Sequence, residues 1–176
     1  MATVSGGPSR EEFAYRWVRE HAAAVRGYLL GLVRRPEVAD DLAQEVFRRA
    51  WQAHDRYQDR GRQRAYLLTI ADRLACDRAR RLGVEVTVDG DAWRTIEPAE
   101  SDRPLDQLTE RESEEELAQA LEQLSPVQRR VLLLRYYGEM EFAEIAAAIG
   151  CPLSTALSHC RRGLLALRKL LAEQNA

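Results

Sequence analysis

Between Gly150 and Gly163 the chain reads GCPLSTALSHCRRG. The hydroxyls of Ser154, Thr155 and Ser158 can donate to phosphate oxygens, and the guanidinium groups of Arg161 and Arg162 can contact a phosphate or a guanine edge. Leu153, Ala156, Cys160, Gly163, Leu167 and Leu170 recur three and four residues apart, the spacing of a helix face turned inward. Ser154, Thr155, Leu157, Ser158, Arg161 and Arg162 are then expected to face outward near the start of that helix. The preceding run EFAEIAAAIG predicts a shorter helix ended by Gly150. A short helix, a tight turn and a longer helix make a candidate helix-turn-helix, which presents the start of its second helix to the major groove.

Two further clusters could do chemistry. Eight arginines against three aspartates occupy Arg56 to Arg81, including Arg60, Arg62, Arg64, Arg73, Arg78, Arg80 and Arg81, with Tyr57 and Tyr66 among them. Basic side chains that track a backbone, interleaved with aromatics, suit single-stranded nucleic acid. Asp41, Gln44, Glu45 and Arg48 lie at i, i+3, i+4 and i+7 and form one polar stripe, beside an apolar stripe of Val38, Leu42, Val46 and Ala50. A solvated face and a docking face are both consistent with the polar stripe. Phe47 and Trp51 read as core, as does Tyr66. Arg80 and Arg81 suit either a helix C-terminus or a phosphate.

Charge is strongly partitioned. From Leu82 to Leu124 three arginines stand against thirteen acids, and from Pro126 onward seven bases stand against four acids. Two basic blocks flanking an acidic connector fit two modules that meet a polyanion, or solvated helix faces without that meaning. Cys76, Cys151 and Cys160 form no CxxC and have no ligand spacing with His21, His54 or His159. They read as packed thiols, with a Cys151–Cys160 redox pair as the minor alternative. No Ser-His-Asp arrangement, phosphate loop or HExxH occurs, so the chain is expected not to be an enzyme and to need no metal or cofactor. No apolar run approaches a membrane span, and MATVSGGPSR lacks a signal peptide's basic flank and apolar core, so a cytoplasmic location is expected.

The expected architecture is all-α. A helix from about Ser9 to Val33, a second from Pro36 to about Ala53 and a third from about Gln63 to Arg81 form the first domain, 1–81. An acidic linker, 82–108, contains VEVTV, a possible lone strand. Four helices make the second domain, 109–176. In it, Ser125 caps a helix that Pro126 opens and Gly138 ends, and Pro152 opens the last one.

LEQLSPVQRRVLLLRYYGEMEFAEIAAAIGCPLSTALSHCRRGLLALRKLL resembles the C-terminal, promoter-reading domain of extracytoplasmic function (ECF) sigma factors, in the RNA polymerase sigma factor superfamily. DDLAQEVFRRAWQAHDRY and AYLLTIADRLACDRARR resemble their N-terminal domain. The resemblance implies a sigma region 2-like domain and a region 4-like domain. It implies core polymerase binding through Asp41, Gln44, Glu45 and Arg48. It also implies capture of the opened minus-ten strand by Tyr57, Arg60, Arg62, Arg64, Arg73 and Arg78. Minus-thirty-five reading would fall to Ser154, Thr155, Leu157, Ser158, His159, Arg161 and Arg162. The implied partners are core RNA polymerase, promoter DNA and an anti-sigma factor.

Three departures stand out. Asp72-Arg73 replaces the family's usual Arg-Asn, and Asp72 is expected to repel phosphate. Leu157 and His159 replace bases, and Leu164 and Leu165 fill a usually basic stretch. Weaker duplex binding, or a leucine surface for a regulatory partner, is the expectation. The alternatives are a sigma-like protein that sequesters an anti-sigma factor and a stand-alone helix-turn-helix regulator.

Overall fold

The computed structural model describes residues 10–57, 61–83 and 114–174, and these are helical without a strand. The chain divides into two compact units, Met1–Arg78 and Ala79–Ala176. The expected Ser9 cap, the VEVTV strand, the linker and the start of the second domain at residue 109 lie outside the described residues, as does Arg60.

The first unit is built from α1 (Arg10–Val33), α2 (Pro36–Gln52) and α3 (Gln63–Arg81), with a 3-10 turn at His54–Arg56. Pro36 opens α2, where its fixed φ suits the first turn and its missing N–H is no loss. Arg34, at φ 57, makes the sharp turn out of α1. Trp17, Val25, Tyr28 and Leu29 of α1 meet Val38, Ala39, Val46 and Ala50 of α2 and Leu67, Leu68, Ala71 and Leu74 of α3 in one apolar core. Burying each of the large side chains is worth roughly 1.5–3 kcal/mol.

Asp72 is inside this core, only 1% exposed. The Tyr28 hydroxyl donates to its Oδ1 at 2.7 Å, tying α1 to α3 across 44 residues of sequence, and the Cys76 Sγ approaches the same oxygen at 4.0 Å. The expectation that Asp72 repels phosphate is therefore corrected: the carboxylate faces Tyr28, because α3 turns its Leu68, Ala71, Asp72 and Ala75 inward.

The second unit contains α4 (Glu114–Gln123), α5 (Pro126–Leu132), α6 (Phe142–Ile149) and α7 (Leu153–Gln174). Ser125 and Gln128 close a reciprocal capping box at the start of α5. Arg129 reaches back and donates to the carbonyls of Leu121 at 2.8 Å and Glu122 at 2.7 Å, satisfying the end of α4. Arg130 is buried. Two bases of the C-terminal block are thus structural. α5 does not run uniformly to Gly138 but passes into a π-helical turn, Leu133–Tyr137, closed by Gly138 N–H to Leu133 O at 2.9 Å. Glu139, at φ 55, redirects the chain. Glu141 and Glu144 form a second capping box, and Gly150 ends α6 at φ 74, a left-handed conformation that strains any other residue.

The inward face of α7 is Ala156, His159, Cys160, Gly163, Leu167 and Leu171. Three expectations are corrected here. Leu153 is 48% exposed, Leu170 is half-buried while Leu171 takes the core position, and His159 is only 6% exposed. The buried stripe takes in His159 near the start of α7 and Leu171 near its end, and between them, at Gly163, α7 passes close to α5, where an added Cβ would lie 3.1 Å from Leu132 Cδ1.

Replacing Tyr28 with Phe keeps the ring and removes the donor to a buried carboxylate. Denaturant unfolding should show a loss of about 1–3 kcal/mol; an unchanged midpoint would show that the bond does not hold α1 to α3.

Candidate functional site

The polar stripe on α2 is held by its own ion pairs. Asp41, Gln44 and Arg48 are exposed and Glu45 is half-buried. Arg48 donates to both Glu45 oxygens at 2.6 Å, and Arg49 donates to Oε1 at 2.7 Å. The hydrogen bonds from Arg48 and then Arg49 hold the Glu45 carboxyl down to about 2, and the same contact raises the Arg48 guanidinium. One turn away, Arg26 of α1 pairs with Asp40 of α2 through Nε to Oδ1 at 2.5 Å, fixing the two helices side by side.

Beside Arg48 lies a feature that sequence reasoning missed. A groove of about 500 Å3 opens between α1 and α2, lined by Trp17, Val18, Phe47, Trp51 and Arg48 among others. Trp51, expected in the core, is exposed, and Phe47 is half-buried. The signal was present in the i, i+4 pair Phe47/Trp51, which overlaps the polar stripe rather than opposing it.

On α3, Arg73 and Arg80 are seven residues apart and exposed, so they share one face. Arg62 sits at the start of the helix, where its carbonyl accepts from Tyr66 N–H; helical geometry returns it to within about 20° of Arg73. Arg81 is exposed at the helix end, and Arg78, half-exposed, lies off this line. Arg64 does not join it: nine residues before Arg73 is about half a turn around the axis. Arg64 is half-buried beside His21, whose pKa is lowered by burial first and by the Arg64 charge as well, against a rise from Glu20.

Tyr57 is not a bare loop aromatic. Its ring packs edge-on to Trp17 at 4.9 Å and tilted to Tyr66 at 4.7 Å, with Trp17 and Tyr66 at 5.9 Å. Burial raises the Tyr66 hydroxyl above its ordinary pKa. This three-ring cluster anchors the start of the segment between α2 and α3 to both α1 and α3.

In the second unit, α6, the Gly150 turn and α7 form the expected helix-turn-helix. Ser154, Leu157 and Ser158 are exposed and Thr155, Arg161 and Arg162 half-exposed, whereas His159 turns inward with Nδ1 3.4 Å from an Arg162 nitrogen. No acid occurs from Leu153 to Arg162. Leu165 is 56% exposed and Leu164 half-buried. The Cys160 thiol is buried, and burial pushes the Cys151 thiol up, against smaller opposing effects of a backbone hydrogen bond and Arg130. Among the described residues no cluster of His, Cys, Asp and Glu could hold a metal ion, and no helix is long and apolar enough to cross a membrane.

Comparison with known proteins gives the same two units. Residues 17–84 match the family model Sigma-70 region 2, and residues 114–167 match Sigma-70, region 4. The chain is similar to the ECF RNA polymerase sigma factor SigL of Mycobacterium tuberculosis, 34% identical over 179 residues, covering 98% of this chain and 97% of the relative. It is also similar to ECF RNA polymerase sigma factor SigK of Mycolicibacterium vanbaalenii, 29% identical over 150 residues, covering 85% of this chain and 76% of the relative. The sigma factor RpoE of Bartonella quintana, solved with the anti-sigma factor NepR, shares the fold with TM-score 0.68, 23% identity and coverage of 90% of this chain and 96% of that one. CnrH, solved with the cytosolic domain of CnrY, does so with TM-score 0.61, 21% identity and coverage of 93% and 90%.

The Glu45 carboxyl should stay ionised well below its ordinary value of 4.5 and titrate near 2. The stabilisation it gives α2 is complete above the ordinary value and disappears as pH falls through the folded one. Carboxyl NMR titration should place the midpoint near 2 in the wild type and move it upward in Arg48→Ala; a wild-type midpoint at 4.5 would refute the pairing.

Proposed function

Because the chain belongs to the sigma-70 family as an ECF RNA polymerase sigma factor, we propose that its faces divide the work of promoter-specific initiation between them. The stripe Asp41, Gln44, Glu45 and Arg48, with the groove beside it, docks on core polymerase. Arg62, Arg73 and Arg80, aligned along α3, follow the phosphates of the opened minus-ten strand. Tyr57, packed against Trp17 and Tyr66, and Arg78 contribute from beside this line. Arg64, turned toward His21, supports α3 rather than touching DNA. α7 reads the minus-thirty-five duplex with Ser154, Thr155, Leu157, Ser158, Arg161 and Arg162. His159 acts from beneath, through Arg162.

The observation that carries this reading is the pairing, in one chain, of the α2–α3 faces with a helix-turn-helix, each within its matched region. Residues 1–81 form the polymerase and minus-ten domain, 82–108 the acidic linker and 109–176 the minus-thirty-five domain. The chain itself catalyses nothing: it binds and orients, and works in the cytoplasm, where the polymerase is. An anti-sigma factor is its regulator, a reading supported by the fold relative RpoE, solved with the anti-sigma factor NepR. Of the two departures that favour a decoy, Asp72 and Leu157, burial of Asp72 removes the first, because no carboxylate from that position opposes phosphate.

Run-off transcription with core polymerase and genomic promoter fragments should give defined starts; none would overturn the reading. Arg73→Ala should leave core binding intact and make open-complex formation less salt-dependent, by about 0.7 in the log–log slope for one lost single-strand phosphate contact. An unaltered slope would remove Arg73 from the strand-binding face.

A further inference from the structure

From the exposed start of α7 we infer that Leu153 and Leu157 are specificity residues that pack against the 5-methyl groups of thymines in the upstream promoter duplex. The inference rests on the duplex-reading role of α7 proposed above and gives that role a base preference.

Leu153 is 48% exposed and Leu157 44% exposed, on the first two turns of the second helix of the helix-turn-helix. These are the turns that enter a major groove. Four residues separate the two leucines, which puts them about 40° apart around the axis and about 6 Å apart along it, close to two base steps. Ser154 and Ser158 are exposed on the same two turns, with Arg161 half-exposed one turn further. Apolar side chains set among hydroxyls and guanidinium groups, with no acid from Leu153 to Arg162, match a surface that is itself a thymine methyl set among phosphates and base edges.

A protein partner would favour one continuous apolar strip, and α7 does not offer it. Leu164 lies within about 20° of Leu153 around the axis but is half-buried, and Leu165, 56% exposed, stands about 18 Å from Leu153 along the axis, beyond Arg161 and Arg162. The presentation is also rigid. The Gly163–Leu132 approach fixes α7 on α5, and the Gly150 turn fixes it on α6, with both Gly150 N–H and Cys151 N–H donating to the Ala146 carbonyl.

The test uses the full-length chain assembled with core polymerase. Upstream duplexes are selected from a randomised pool, and the selected sequence is resynthesised with deoxyuridine in place of each thymine in turn, a change that removes only the methyl. Binding should weaken about fourfold at each of one or two closely spaced positions, the effect of burying one CH2-sized group. Leu153→Ala and Leu157→Ala should each abolish the response at one position, and Leu165→Ala should leave both. The inference fails if the wild type selects a sequence yet ignores deoxyuridine at every thymine. It fails equally if the two leucine variants keep the full response, which would assign Leu153 and Leu157 to a protein contact. Absence of any selected sequence would instead remove duplex reading by α7, and this inference with it.

Discussion

A single buried hydrogen bond governs the first unit. Tyr28 and Asp72 meet inside the core, where an unanswered carboxylate would be costly and an answered one is directional. Apolar packing alone tolerates small rotations of a helix. A bond from a tyrosine hydroxyl to one carboxylate oxygen does not, so it sets the roll of α3 about its own axis. With Asp72 turned inward, Arg73 and Arg80 must turn outward on a common line. The arginine face is therefore a consequence of the core.

The second unit solves the same problem by shape. Gly163 lets α7 approach Leu132, Arg129 closes the end of α4, and two capping boxes begin α5 and α6. Arg135 joins the π turn to α6 by donating to the Met140 carbonyl and lying over the Phe142 ring. These contacts hold the first two turns of α7 out with serines, a threonine and leucines exposed or half-exposed and His159 withdrawn.

Much of this was legible in the residue pattern. Pro36, Ser125, Pro126 and Gly150 marked helix boundaries because their backbone preferences act locally. The four polar positions of α2 and the helix-turn-helix were visible as spacing, and the two units through their family resemblance. What escaped depended on partners distant in sequence or on backbone geometry. Asp72 looks like a surface acid until Tyr28 is beside it. Arg129 counts as a DNA-directed charge until the carbonyls of α4 are in place. Arg64 belongs by composition with Arg73, yet it stands half a turn away beside His21. The π turn leaves no trace in composition, since it changes which carbonyl each N–H meets and not which residues are apolar.

The clasp of Glu45 by Arg48 and Arg49 has a consequence for how long an assembly lasts. An arginine already held in both prongs of a carboxylate has little fresh attraction to offer. A newcomer with its own acid can win Arg48 only by evicting Glu45, so its net gain is the difference between two similar embraces. Such exchange would make recognition at this face selective in shape but shallow in energy.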